Sequence, residues 1–283
     1  MEQTDVAASG APLPAAVAQA LKAFIEPRRF PLAEGERQWL ESGRAQRVAH
    51  EGVELAAWTW PAARGTAPAP RVLLVHGWES RASHWGAWVP ALTAAGFDVC
   101  VFDAPAHGDS PGTRSDVVAC GRAIGSVALA LGPFDVAIGH SAGSAAALYA
   151  FAHGLDVRAS VHLAGPSSLV RVLAYVAHAA GLPEDLRPLV RERFELYLGQ
   201  PATVMDLARL APGLRHPALL LHDPGDAEMP YAESVALARA WPQAELVPAA
   251  GLGHRRILKD ADVVARVVAF LRRHAGPAAL RPD

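Results

Sequence analysis

Ser141 lies in Gly139-His140-Ser141-Ala142-Gly143, a pattern suited to a nucleophilic hydroxyl. A serine attacks a carbonyl effectively only if its Oγ stands clear, a base takes its proton, and N–H donors meet the oxyanion that forms. A tight strand-to-helix turn meets the first and last demands. It exposes the hydroxyl and points the next N–H, here that of Ala142, at the oxyanion. The flanking glycines remove side chains that would clash in the turn. A second match, Gly108-Asp109-Ser110-Pro111-Gly112, fails this test. Pro111 has no N–H to donate, and Pro111-Gly112 reads as a turn rather than a helix start. Ser110 is therefore read as a loop serine.

A second oxyanion donor is expected from the loop after an earlier strand. His76-Gly77-Trp78 follows the apolar run Val72–Val75, and the Trp78 N–H is the candidate. For the base, His254 in Gly251-Leu252-Gly253-His254 stands out among twelve histidines by position, in a glycine-flanked loop after the last strand-like run. Two acids, Asp223 and Asp226, follow the run Ala218–Leu221, and either could reach His254. Asp223 precedes Pro224, which holds its backbone extended. Asp226 follows Pro224-Gly225, a turn pair able to swing the chain back over the sheet edge, and it lies four residues before Pro230, a suitable first helix residue.

These residues need a scaffold that brings loop ends together. From Arg71 onward, short apolar runs alternate with helix-length segments. The runs are Val72–Val75, Phe97–Phe102, Phe134–Ile138, Val157–Leu163, Ala218–Leu221 and Glu245–Val247, with helices expected near 84–95, 115–131, 142–153, 231–241 and 260–274. Such alternation predicts an α/β fold with a mostly parallel central sheet and helices on both faces. Ligands on such sheets bind beyond the carboxyl ends of the strands, where the candidate residues fall. Two further strands, Ala45–His50 and Val53–Trp60, precede this core, and Pro61–Pro70 reads as a loop. Residues 14–26 read as a short helix, with Val17, Ala20, Leu21 and Phe24 on one face, and residues 1–13 as disordered. The stretch from 166 to 214 carries no strand signal. Leu169, Val172, Leu173 and Val176 predict one amphipathic helix there, and Leu186, Leu189, Val190 and Phe194 another. This reads as a small helical cap inserted in one domain spanning 14–283, with Phe194 and Tyr197 as candidate substrate contacts. Trp78 is expected to line the site, whereas Trp85 and Trp88 read as packing a helix on the sheet.

The chain has 283 residues, 51% of them apolar, enough for one large domain without disulfide or metal support. A net charge of −2 argues against a nucleic-acid or anionic-membrane coat. The acidic start, Met1-Glu2-Gln3-Thr4-Asp5, does not read as a secretory signal, and no run of about 18 apolar residues suggests a membrane span. A cytoplasmic location is the expectation. Cys100 and Cys120 read as reduced, buried thiols.

The ordered pieces resemble the α/β-hydrolase superfamily over roughly residues 44–275. They are His76-Gly77, Asp103-Ala104-Pro105-Ala106-His107-Gly108-Asp109-Ser110, Gly139–Gly143, Asp226 with Met229-Pro230, and Gly253-His254. Ala106 stands where the family commonly has glycine. The resemblance implies Ser141 as nucleophile, Asp226 as acid, His254 as base, and Trp78 and Ala142 as oxyanion donors. It implies a serine hydrolase of the esterase or lipase kind, acting on a small-molecule acyl substrate with no cofactor and no metal. A thioesterase, an acyltransferase, an aminopeptidase and a non-catalytic binding protein are the alternatives. Substrate identity and oligomeric state are not written in these motifs.

Overall fold

A computed structural model describes residues 13–63 and 68–275. Residues 1–12, expected to be disordered, and part of the Pro61–Pro70 loop lie outside the described residues. In chain order the elements are α1 (Ala15–Ile25), α2 (Glu34–Glu41), β1 (Arg44–His50), β2 (Val53–Trp60), β3 (Arg71–Val75), α3 (Trp88–Ala94), β4 (Asp98–Phe102), α4 (Val117–Leu131), β5 (Val136–His140) and α5 (Ala142–Ala152). They continue with β6 (Ala159–Leu163), α6 (Leu169–Ala179), α7 (Arg187–Leu198), α8 (Leu207–Leu210), β7 (Ala218–His222), α9 (Ala232–Ala240), β8 (Ala244–Pro248), α10 (Gly253–Arg256) and α11 (Ala261–His274).

The eight strands form one sheet in the order β1-β2-β4-β3-β5-β6-β7-β8. The β1–β2 and β2–β4 pairs are antiparallel and the rest are parallel. Both faces are covered. In β3, Leu73 and Val75 enter one apolar cluster, while Val72 and Leu74 enter the other. A strand with two dry faces is apolar along its covered length, as β3 is from Val72 to Val75 after the exposed Arg71. Trp85 and Trp88 are buried in the second cluster, edge to face at 5.4 Å. Cys100 and Cys120 are free and buried, and burial pushes both thiols up to about 12, leaving them protonated and inert.

The sheet order reverses at β3, which has β4 on one side and β5 on the other. Such a switch point opens a crevice at the carboxyl edge. The segment between β6 and β7 folds into α6, α7, α8 and short 3₁₀ turns. α6 is tied down at its start, where the Arg171 guanidinium meets the buried Glu233 carboxylate at 2.5 Å and the Ser167 amide donates to Glu233 at 2.8 Å. Helix α2 was not legible as a period because only Leu40 of its eight residues is buried. It forms through local bonding, with Glu36 accepting the Ala33 amide at 3.1 Å, and through Trp39 stacked on Trp60 at 4.9 Å.

Candidate active site

The turn between β5 and α5 carries Ser141 at φ +52°, ψ −122°. A non-glycine residue there stores about 1–3 kcal/mol of strain, so the surroundings must impose it. The Ser141 N–H donates to Leu163 O on β6 at 2.8 Å, which pins the turn to the sheet. Gly143 is required by close approach, since a Cβ there would run into the carbonyl oxygens of Val75 and His76. α5 thus starts hard against the end of β3, and nearly all of its length is buried.

His254 reaches Ser141 from α10. Its Nε2 lies 2.9 Å from Ser141 Oγ and its Nδ1 lies 2.7 Å from Asp226 Oδ2. An Nδ1–H donated to the carboxylate leaves Nε2 free to accept the serine proton. The Asp226 side chain is fully buried. Burial alone would raise its pKa. Hydrogen bonds from His222 and His254, and the Met229 N–H, outweigh that and hold it well below the usual carboxylate range. Asp226 Oδ1 also accepts the Glu228 and Met229 amides, at 2.8 and 2.9 Å. The carboxylate therefore stays charged beside the imidazole.

Two further histidines, His222 and His140, support this arrangement. His222, the last residue of β7, is fully buried, with Nε2 3.2 Å from Asp226 Oδ2 and 3.0 Å from Met229 O, and Nδ1 2.7 Å from Ser234 Oγ. A lone polar residue ending an apolar run was its only signal. His140 donates from Nε2 to the His254 carbonyl at 2.9 Å. Burial first, and then the nearby His254, push His140 down to about 3, so it remains neutral.

The His76-Gly77-Trp78 loop closes over the serine from β3. His76 donates from Nδ1 to Gly77 O at 2.8 Å and accepts the Ala104 amide on Nε2 at 3.0 Å, so both ring nitrogens set the loop's path. A Cβ on Gly77 would lie 3.1 Å from Ser141 Cβ and 3.0 Å from His140 Nδ1, so a side chain there would press on the serine and on the histidine beside it. Trp78 and Ala142 both border the cavity at Ser141, and among the described residues no acceptor takes either amide.

Ser141 and His254 stand between two cavities that also share Trp78 and Glu228. One, of about 300 Å³, is walled mainly by apolar groups, among them Phe24, Leu169, Val172 and Met205. The other, of about 830 Å³, is bordered by Glu36, Ser83, His84, Arg255 and Lys259. Phe194 and Tyr197 border neither, contrary to expectation. Phe194 is fully buried behind Phe24, edge to face at 5.1 Å, and Tyr197 packs on Phe194 at 5.9 Å. The apolar face of α7 thus meets protein rather than open space.

Ser110 is buried and committed at both ends. Its Oγ donates to Asp103 O at 2.6 Å and accepts the Ala56 amide at 2.9 Å. Asp103 accepts the amides of Ala82 and Asp109, at 2.6 and 2.7 Å. The Asp103–Ser110 segment is a braced turn, and Ala106 sits in it at φ +65°, the conformation that favours glycine.

A family model described as "alpha/beta hydrolase fold" matches residues 70–200. The Pyrococcus furiosus esterase Pf2001 superposes with a TM-score of 0.67 at 21% identity, over 89% of this chain and 100% of that one. Est1E from Butyrivibrio proteoclasticus, solved with ferulic acid, gives 0.64 at 20% identity, over 81% and 99%. The thioesterase domain from the curacin biosynthetic pathway gives 0.57 at 16%, over 81% and 98%. At these identities the likeness is one of fold. No curated protein matches significantly. The family match over residues 70–200, the eight-stranded sheet and these neighbours together show that the chain has the α/β-hydrolase fold. Among the described residues, no helix is long and apolar enough to cross a membrane.

Proposed function

We propose that the protein is a serine hydrolase that cleaves a carboxylic ester through an acyl-enzyme on Ser141. The observation that carries this reading is the unbroken series Ser141 Oγ, His254 Nε2, His254 Nδ1 and Asp226 Oδ2, linked at 2.9 and 2.7 Å. As Ser141 attacks the ester carbonyl, His254 takes the hydroxyl proton and Asp226 stabilises the imidazolium. The Trp78 and Ala142 amides receive the oxyanion. His254 then returns the proton to the departing alcohol as the ester C–O bond breaks. Water, deprotonated by His254, attacks the acyl-enzyme, and the carboxylic acid leaves as Ser141 regains its proton. The segment 166–214 acts as a cap. The acyl group enters the apolar cavity beneath α6, and the alcohol faces the larger and more polar one. Two of these structural neighbours carry the name esterase or Est, and this supports the ester reading.

A fluorophosphonate probe tests the nucleophile, and a panel of p-nitrophenyl esters, thioesters and aminoacyl amides tests the bond. Wild type should be labelled and Ser141→Ala should not, with esters turned over fastest. Absence of labelling in wild type would overturn the reading in favour of a binding protein.

A further inference from the structure

Helix α1 and the two arginines after it lie outside the stretch that the family model matches, yet they reach the loops around Ser141. The Ala23 carbonyl accepts the Trp78 indole N–H at 3.3 Å. The Arg28 guanidinium holds the Glu79 carboxylate through three bonds of 2.7–3.0 Å. Glu79 directly follows Trp78 and has φ +52°, so this fork grips a strained part of the oxyanion loop. Arg29 donates to four carbonyls of the braced turn, those of Ala106, Gly108, Ser110 and Gly112, at 2.6–3.1 Å. The Ile25 carbonyl accepts the Ser115 amide at 2.8 Å. α1 is therefore a strap fixed to three separate loops, and it also packs against α6 and α7.

This strap presents one large apolar side chain to the cavity beside Ser141. The Phe24 ring stacks beside Trp78, with centroids 6.5 Å apart and planes 24° from parallel, and Phe194 backs it edge to face. Leu169, Val172 and Val176 of α6 and the small Ala145 of α5 also line this cavity. The ring is braced from behind by a fully buried residue, so it cannot yield to a longer ligand without repacking α7.

We propose that Phe24 sets the length of the acyl group the site accepts, with the α1 strap as the closed wall of the acyl pocket. A cavity of about 300 Å³ is at the small end for ligand sites, and the class selected is a short acyl chain. This rests on the reading of Ser141 as an acyl-accepting nucleophile.

The test compares wild type with Phe24→Ala and Phe24→Trp by two readouts. The first is the ratio of kcat/KM for p-nitrophenyl octanoate to that for p-nitrophenyl acetate. The second, which needs no catalysis, is calorimetric binding of sodium octanoate. The ratio should rise at least about tenfold in Phe24→Ala and fall in Phe24→Trp, with octanoate affinity moving in the same directions. Phe24→Leu takes the place of the alanine variant if that one fails to fold. A ratio and an octanoate affinity that stay within about twofold of wild type in the variants would overturn the proposal. If wild type hydrolyses nothing, the enzyme reading falls alone and octanoate binding decides: tighter binding by Phe24→Ala upholds the wall, and unchanged binding removes it.

Discussion

Asp223 Oδ2 accepts the Gly253 amide at 2.5 Å and so holds the residue before His254 without touching the imidazole. Its other oxygen caps the Gly225 amide at 2.8 Å, and these two bonds lead in holding its pKa down. Two acids three residues apart thus divide the work. Asp226 fixes the ring, and Asp223 fixes the loop that carries it. Asp226→Asn should lower kcat by about 10⁴-fold with little loss of fold, because the amide favours the wrong tautomer. Asp223→Asn should cost on the order of 10²-fold or less, through a misplaced loop, together with a lower Tm. Steady-state kinetics and thermal melts on both variants check this. Equal kcat losses would refute the division.

Ser110→Ala removes the acceptor from the buried Ala56 amide and the donor to Asp103 O. Stability should drop by about 1–3 kcal/mol, while fluorophosphonate labelling at Ser141 persists. Chemical denaturation and gel labelling read the two separately. A stable variant that no longer labels would contradict the reading of the turn.

Gly143→Ala should give no soluble folded protein, since the added methyl meets the Val75 and His76 carbonyl oxygens in the middle of the sheet edge. Gly125→Ala, on the exposed side of α4 with nothing within 4 Å of the new carbon, should instead gain about 0.5–1 kcal/mol. Circular dichroism melts distinguish the two. A folded Gly143→Ala of wild-type stability would show that α5 can shift from β3.

Acid should unfold the protein early. Burial pushes His107 and His216 down to about 4, and His140 and His162 down to about 3. The unfolded chain protonates these rings below about pH 6.5, whereas the folded protein resists doing so. Stability is therefore intact above that pH and is lost as pH falls toward 3, by at most ~1.4 kcal/mol per pH unit for each histidine. Buried Asp103 opposes the trend. Burial raises it to about 6, so the folded state keeps a proton that the unfolded chain has released between about pH 4 and 6. Melts between pH 7.5 and 4.5 should show a falling Tm, with a shallower slope in His162→Gln. A Tm that rises on acidification would refute this.

The sheet and the Ser141 turn were legible because their physics constrains residue type locally. A strand buried on both faces must be apolar throughout, and a turn packed onto β3 must have glycine at 143. Asp226 and Asp223 could be separated because Pro224-Gly225 turns the chain between them. The spacing on α7 showed that Phe194 faces inward. Periodicity does not say whether the inward side meets a cavity or a neighbour, and here the neighbour is Phe24. The α1 wall was illegible for the same reason: a helix period names a face but not its partner, and this partner lies far along the chain. His222 was hidden because its role depends on Asp226 bending back to the end of β7.

The site draws on Phe24 near the start of the described chain and on His254 near its end. During synthesis, α1 leaves the ribosome long before α7, against which it packs, and the base follows only after β8. The emerging chain therefore carries an uncovered apolar helix for most of its translation time, and His254 cannot reach Ser141 until the sheet is nearly complete. Contacts of such sequence separation form late in folding. On the proposed reading, a newly made molecule stays inactive until its chain is nearly complete, and α1 waits uncovered until α7 emerges.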